Sequence, residues 1–385
     1  MRTDDWGLFP IPSLYVHVPF CVVKCGYCDF NSYVPDGEAP LDAFLEGLDR
    51  ELALARAPRR PSTIFIGGGT PTLLDASRFE RMFDVLERHV DLRGCTEVTI
   101  EANPESVTLE KARLARSRGV NRVSLGAQSF DAAHLRFLDR AHDADATRRA
   151  VATMREGGFA NLNLDLIFSL PGQTLAQWER DLEQALALSP DHLSCYNLTF
   201  EPGTRLFRDR EQGKVSPNDD TLDKQMFLHT RARLADAGYT AYEISNFAGR
   251  GGPCRHNDHY WLQGDYVGVG PGASSHRQGV RSTNLKALGA WASALGEGTL
   301  PTATAETLSR DQRVREALWL GVRRRDGVDL RLVEERLEVP LRTTFGPTFA
   351  RLAARGWIHS DPERLVLTDA GLLFANSVGE AFLEA

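Results

Sequence analysis

No stretch of this chain approaches the roughly 18 consecutive apolar residues that a membrane-crossing helix needs. Positive charge is not in excess either: 45 Lys and Arg stand against 52 Asp and Glu, for a net charge of −7. Broad nucleic-acid binding usually requires a basic face, so that class is disfavoured, and the adjacent Arg323, Arg324 and Arg325 read as a solvated helix face. The first twelve residues carry acids, a tryptophan and prolines, not a basic stretch followed by an apolar one. No secretory signal is therefore expected, and the chain reads as cytoplasmic, with no membrane anchor of its own. Disulfides are rare in that reducing compartment, and the chain has only six cysteines. Cys95, Cys195 and Cys254 are scattered, whereas Cys21, Cys25 and Cys28 crowd into one short segment. Such crowding points to metal or redox chemistry. Cys95 falls in a helix-to-strand loop, and Cys195 falls in a strand, where packing is its ordinary role. No internal repeat is evident.

The 385 residues, 42% of them hydrophobic, suffice for a sizeable core and two or three domains. Short β-branched runs over 14–18, 63–67, 97–101, 122–125, 161–167, 192–197 and 241–244 read as strands. Amphipathic patterns over 43–57, 75–90, 109–118, 144–156, 175–188 and 222–237 read as helices, with Asp75 placed to cap the second. This alternation implies βαβ units and a parallel sheet, and about six repeats suggest a partial (βα)6 barrel of the TIM-like kind. Active sites of such barrels lie at the C-terminal ends of the strands. The expected division is a barrel over 1–245, a connecting segment over 246–305 with few helices, and a small α+β domain over 306–385. That last part reads as helices over 311–322, 330–337 and 343–355, a hairpin over 357–367 and a final helix from Asp369. The layout is winged-helix-like, and without a basic recognition face a stabilising cap is the favoured role.

Directly after the first strand the chain reads Tyr15-Val-His17-Val-Pro19-Phe20-Cys21, followed by Cys25 and Cys28 in the spacing C-x3-C-x2-C. One short loop with this spacing can wrap three thiolates around a small cuboidal iron–sulfur cluster, which is commonly held by four. Three local thiolates leave one iron without a protein ligand, open to a small chelating molecule. A structural zinc site wants four ligands, and His17, inside the strand and on the far side of Pro19, is poorly placed to complete Cys3His. At the end of strand two come Gly67, Gly68, Gly69, Thr70 and Pro71, where glycine lets backbone groups approach a ligand closely. Strand three ends at Glu101, a carboxylate able to accept from ribose hydroxyls. Asn163 and Asp165, within an otherwise apolar strand, are costly to bury unpaired. Either an Arg140–Asp165 ion pair lining the mouth or direct ligand contact would meet that cost.

The cysteine spacing resembles that of radical S-adenosylmethionine (SAM) enzymes. The resemblance implies that the open iron chelates the amino and carboxylate groups of SAM, which an electron from the 4Fe–4S cluster cleaves to a 5′-deoxyadenosyl radical. Further motifs are similar to those of the coproporphyrinogen III dehydrogenase group and the radical SAM heme chaperones related to it: Glu101-x-Asn103-Pro104, Gly126-x-Gln128-Ser129, Asp165-Leu166-Ile167 and Leu170-Pro171-Gly172-Gln173-Thr174. By that resemblance Cys21, Cys25 and Cys28 hold the cluster, and Tyr15, Gly68, Gly69, Thr70, Glu101, Gln128, Arg140 and Asp165 contact SAM.

Two departures separate the relatives. The dehydrogenases place a fourth cysteine where this chain has Phe30, and they carry a long segment ahead of the position of Tyr15, where this sequence has fourteen residues. Both place the decarboxylation of coproporphyrinogen in doubt. The run Cys254-Arg255-His256-Asn257-Asp258-His259-Tyr260-Trp261 resembles the H-N-x-x-Y-W motif of the heme chaperones. Chemistry alone favours a loop whose polar side chains satisfy backbone groups. With the resemblance, His256 becomes an axial heme ligand, with Tyr260 and Trp261 stacking on the porphyrin; Cys254 and His259 are weaker choices. His276 and His17 could orient substrate or cluster. The resemblance further implies respiratory hemoproteins as recipients of heme, a flavodoxin or ferredoxin as electron donor, membrane contact through those partners, and a homodimer as a plausible assembly.

Overall fold

A computed structural model describes residues 12–384; the segment read for a secretory signal lies, apart from Pro12, outside the described residues. Six strands run parallel in chain order: β1 (Ser13–Val18), β2 (Thr63–Gly68), β3 (Glu97–Ala102), β4 (Arg122–Gln128), β5 (Leu162–Phe168) and β6 (His192–Asn197). In each strand one parity is apolar. Leu14, Val16, Ile64, Ile66, Val98, Val123, Leu164 and Leu193 are at most 0% exposed and join the main core with the surrounding helices. The other parity is largely polar: Tyr15 and His17, Glu97 and Glu101, Arg122 and Ser124, Asn163 and Asp165, His192 and Ser194. Parallel strands covered on both faces usually read as continuous apolar runs. Here the alternation lines the inside of a curved sheet with hydrogen-bonding groups.

Helices Ala39–Leu54, Ala76–His89, Leu109–Ser117, Ala144–Glu156, Leu175–Ala187 and Asp220–Asp236 cross between the strands. Asp75 caps the second of these as expected, accepting from the backbone N–H of Arg78 at 3.0 Å. Thr174 and Gln177 form a reciprocal capping box on the fifth. Cys195 is buried in the strand core, and Cys95 is buried where the loop meets β3. Among the described residues no helix is long and apolar enough to cross a membrane.

The structure departs from expectation in the second half. The seventh strand, expected over 241–244, is two short pieces, β7 (Thr240–Ala241) and β8 (Asn246–Ala248), paired antiparallel to each other and with β8 against β6. The buried Glu243 carboxylate accepts from the Ser245 N–H and the Asn246 amide, which curls the chain between the two pieces. The segment over 246–305 is not a connector. Its β9 (Tyr266–Val269) lies parallel beside β1, and β10 (Ser274–Arg277), β11 (Val280–Asn284) and β12 (Thr302–Thr307) continue the sheet antiparallel. One twelve-stranded sheet results, in the order β12-β11-β10-β9-β1-β2-β3-β4-β5-β6-β8-β7, and its end strands do not pair, so the barrel is open. The motif from Cys254 to Trp261, expected as a loop, is the helix Arg255–Trp261.

The C-terminal part has its own core, built from Val314, Leu318, Leu330, Leu341, Phe349, Leu365 and Phe382 among others. Its expected wing is smaller than a hairpin: β14 (Arg364–Leu365) pairs with β13 (Val328–Asp329), and Ile358 bridges Leu367. Two expected helices break, at Phe345 before Pro347 and again between Leu372 and Ala375.

Glu51 ties the sheet extension to the barrel. It is 1% exposed and accepts from the Gly270 N–H at 2.7 Å, the Asn284 amide at 2.5 Å and the Trp291 indole at 2.9 Å. Burial pushes its carboxyl up to about 7, against the pull of those three donors. Glu51→Ala would strand three buried donors, so we expect a loss of roughly 2–4 kcal/mol, read as a lower urea midpoint with an unchanged slope.

Candidate functional site

The cysteine loop leaves the C-terminal end of β1 and is pinned along its length. The Cys21 N–H donates to the Tyr33 carbonyl at 2.9 Å, the Cys28 N–H to the Cys25 carbonyl at 3.1 Å, and the Leu206 N–H to the Gly26 carbonyl at 2.8 Å. All three thiols are free and partly exposed. Thr70 Oγ1 lies 3.6 Å from the Cys21 sulfur, and the Arg140 guanidinium lies 3.5 Å from that of Cys25. Burial pushes the Cys28 thiol up to about 11, and the neighbouring Cys25 and Cys21 push in the same direction.

The donor set suits one of the two metal readings and not the other. A single zinc ion would need a fourth ligand, and His17 is not available. Its Nδ1 bonds the Tyr15 hydroxyl at 2.8 Å and its Nε2 the Asn31 carbonyl at 2.7 Å. Among the described residues no three His, Cys, Asp or Glu side chains converge on one ion. A cuboidal cluster asks for something else, one thiolate for each of three irons, and a single loop carrying three free thiols beside a cation fits that demand.

The glycines of strand two are explained by protein packing. A Cβ on Gly69 would meet the Phe20 carbonyl at 2.5 Å and the Val18 carbonyl at 2.7 Å. This closeness lets the Gly69 N–H reach the Val18 carbonyl at 2.8 Å and the Thr70 N–H reach the Phe20 carbonyl at 2.6 Å. Gly68 has φ of +103°, and a Cβ there would enter the His17 ring at 2.3 Å. The Gly68 N–H donates to Glu101 Oε2 at 2.8 Å.

Arg140 and Asp165 do not pair, contrary to one of the two expectations for them. Arg140 donates to Asn103 Oδ1 at 2.6 Å and the Gly126 carbonyl at 3.0 Å, in addition to its Cys25 contact. Asp165 accepts from Ser124 at 2.9 Å and Asn163 at 2.8 Å. Behind it, Asn163 Oδ1 bonds His192 Nδ1 at 2.6 Å, and His192 Nε2 bonds the Tyr242 hydroxyl at 3.0 Å. Burial pushes Glu101 up to about 7 and raises Asp165. The Gly68 N–H lowers Glu101, Ser124 and Asn163 lower Asp165, and Arg122 lowers both. Gln128 ends β4 after a register shift, half-buried, in a left-handed conformation at φ 63°. Asn103, to which the sequence reading gave no role, links Thr70 (2.8 Å) to Arg140. Its place two residues beyond Glu101, just past the end of β3, was the available signal.

The expected heme ligands lie elsewhere. Thr63 and Glu97 begin β2 and β3, at the end of the barrel opposite the cysteines. The Glu97 carboxylate accepts the N–H groups of Arg255 and His256, each at 3.0 Å, and so caps the helix Arg255–Trp261. His256 is 1% exposed, with Nδ1 2.8 Å from Thr63 Oγ1 and Nε2 2.8 Å from the Tyr260 hydroxyl. Burial lowers its pKa to about 3. The ring is neutral, as a ligand must be, but both nitrogens are engaged. This corrects its assignment as an axial ligand. Cys254 is fully buried against Glu97, and His259 Nε2 bonds the Asp265 carbonyl at 2.6 Å. Trp261 lies half-buried beneath the Arg323 guanidinium. Tyr260 alone of the three expected heme residues reaches a cavity of about 560 Å³, whose walls also include Tyr15, His17, Phe30 and His276. Trp319, from the C-terminal part, closes one side of it and had no local sequence signal.

Residues 15–185 match the radical SAM superfamily, and residues 308–374 match the HemN C-terminal domain. The chain is 38% identical to the heme chaperone HemW of Mycobacterium tuberculosis, the likeness covering 98% of this chain and 97% of that one. It is 43% identical to the HemW of Escherichia coli K12 over 69% of this chain and 70% of the other. A mouse mitochondrial protein, radical S-adenosyl methionine domain-containing protein 1, is 36% identical over 90% of this chain and 78% of its own. Among solved structures, coproporphyrinogen III oxidase (HemN) from Escherichia coli, described as a radical SAM enzyme, superposes with a TM-score of 0.85 at 25% identity, covering 97% and 90% of the two chains.

Glu101 sets a pH dependence. It carries a proton on the acid side of about 7 and becomes a full acceptor as pH rises. A ligand whose hydroxyls donate to it should bind more tightly from pH 6 to pH 8. We expect SAM affinity of the cluster-loaded protein to rise several-fold across that range, and Glu101→Gln to flatten the profile in equilibrium binding.

Proposed function

The chain belongs to the HemW family of radical SAM proteins, and from that premise we propose that it is a heme chaperone, binding heme and delivering it to respiratory hemoproteins. The observation that carries this reading is the likeness to a heme chaperone over 98% of the chain, barrel and C-terminal part together. Phe30, an aromatic standing where the related dehydrogenases carry a fourth cysteine, agrees with it.

We assign the 4Fe–4S cluster to Cys21, Cys25 and Cys28. The cluster supplies, when bound, an electron and an iron corner without a protein ligand. SAM we assign to Tyr15, Gly68, Gly69, Thr70, Glu101, Gln128, Arg140 and Asp165. Their tasks follow from the geometry around them. Glu101, near the end of β3, and Asp165, midway along β5, are acceptors already oriented by the Gly68 N–H and by Ser124 and Asn163. Arg140, fixed by Asn103 and the Gly126 carbonyl, brings a fixed positive charge to the cysteine loop. Thr70 bridges that loop and Asn103. In this reading reduction comes from a flavodoxin or ferredoxin, and the protein is cytoplasmic and meets the membrane through its recipients.

The test begins with protein reconstituted without oxygen. Cys25→Ala should lose the iron, sulfide and brown colour that Cys195→Ala keeps. Titration with heme should give saturable binding, and coproporphyrinogen III with SAM and a reductant should give no vinyl product. Vinyl formation would replace the chaperone reading with oxidative decarboxylation; the absence of heme binding would remove it.

A further inference from the structure

The cavity of about 560 Å³ lies on the inner face of β1, β9, β10 and β11, with Trp319 of the helix Arg310–Gly321 on its far side. Its size falls within the roughly 300–1,000 Å³ of small-molecule sites. One end meets the SAM mouth at Tyr15 and His17; another meets the cysteine loop at Phe30. We propose, resting on the heme-chaperone reading, that this cavity holds the heme, with the macrocycle against Phe30, Tyr260, Tyr266 and Trp319, the iron at His276 and a propionate at Lys286.

Four aromatic side chains in one cavity suit a large flat apolar ring system, since aromatic faces and edges pack at short range with specific geometry. Tyr260 and Tyr266 already meet edge to face at 4.6 Å, so this wall is fixed before anything binds. Phe30 is 57% exposed and Trp319 36%, large apolar surface left uncovered at the cavity. A bound macrocycle would bury both.

The histidines of this region differ in how far their ring nitrogens are engaged. His17 and His256 have both ring nitrogens hydrogen-bonded, and the Nε2 of His259 is taken by the Asp265 carbonyl. The His276 side chain is 9% exposed, and its buried Nε2 has no hydrogen-bond partner. Its Nδ1 lies 3.5 Å from Asp265 Oδ1. The nearby carboxylate favours the proton on Nδ1, which leaves Nε2 with a lone pair, the tautomer a metal-binding histidine needs. Burial favours the neutral ring, opposed by Asp265, Glu316 and the Gly264 carbonyl.

Charge at the cavity supports the same orientation. Arg281 is committed to Glu316 at 2.7 Å and Glu306 at 3.0 Å, which neutralises the carboxylate on the wall. Lys286 is exposed, forms no ion pair among the described residues, and is held beside the cysteine loop by the Asn31 amide, which donates to its carbonyl at 3.0 Å. An ammonium so placed meets a propionate at the rim without displacing another partner.

The test uses the full-length, cluster-loaded protein, with ferric heme followed by difference absorbance and metal-free protoporphyrin followed by fluorescence. Phe30→Ala and Lys286→Glu, both at exposed positions, should weaken binding of the two porphyrins roughly tenfold or more while leaving the melting curve unchanged. His276→Ala should abolish the ligand-dependent Soret shift with ferric heme yet keep binding of the metal-free ring. Wild-type protein that binds heme while all three variants match it in affinity and spectrum would overturn this placement and leave the chaperone reading standing. Wild-type protein that binds no heme would overturn both. If His276→Ala fails to fold, the two exposed variants decide.

Discussion

Two backbone hydrogen bonds, from Gly69 to Val18 and from Thr70 to Phe20, hold the cysteine loop against the end of strand two. They can form only because Gly69 has no side chain, since a Cβ would sit within 2.7 Å of three backbone atoms. Much of the mouth follows from this contact. It fixes where the three thiols start, sets Thr70 between Cys21 and Asn103, and aligns Gly68 so that its N–H orients Glu101. From Asn103 the chain of contacts runs on to Arg140 and back to Cys25. The mouth is therefore one connected polar network, and a shift at any member is felt at the cysteines.

The barrel interior is wet in chemistry yet closed in space. Asp165, Ser124, Asn163, His192 and Tyr242 are bonded one to the next, and Arg122 lies among them as the counter-charge. Buried polar groups on this scale are tolerable only when nearly all are satisfied. Glu97, Thr63 and His256 do the same work at the other end, where the short helix Arg255–Trp261 closes the floor. The motif histidine thus fastens the floor of the fold through both ring nitrogens, and burial accounts for its neutral form.

The later half of the chain is less separate than its composition implies. Four strands from 266–307 extend the barrel sheet past β1, and Glu51 clamps that extension to the helix Ala39–Leu54. The C-terminal core then places Trp319 opposite the inner face of the same strands. A cavity bounded by barrel, extension and C-terminal helix exists only when all three are in place.

The parallel strand order, most helices, the Asp75 cap and the cysteine loop were legible from the residues alone, because each rests on local periodicity or on spacing within one turn of chain. Asp165 and Asn163 announced a polar interior for the same reason: two polar residues at alternate positions of one strand must share a face. The sequence could not place His256, whose partners Thr63 and Glu97 lie 193 and 159 residues away. Nor could it choose between an Arg140–Asp165 pair and the arrangement observed, since Asn103 and Cys25 compete for the same guanidinium through contacts that only folding creates. Local chemistry determined which groups the chain carries; the closure of a non-local sheet decided which of them meet, and which of the two histidines at the cavity keeps a nitrogen without a partner.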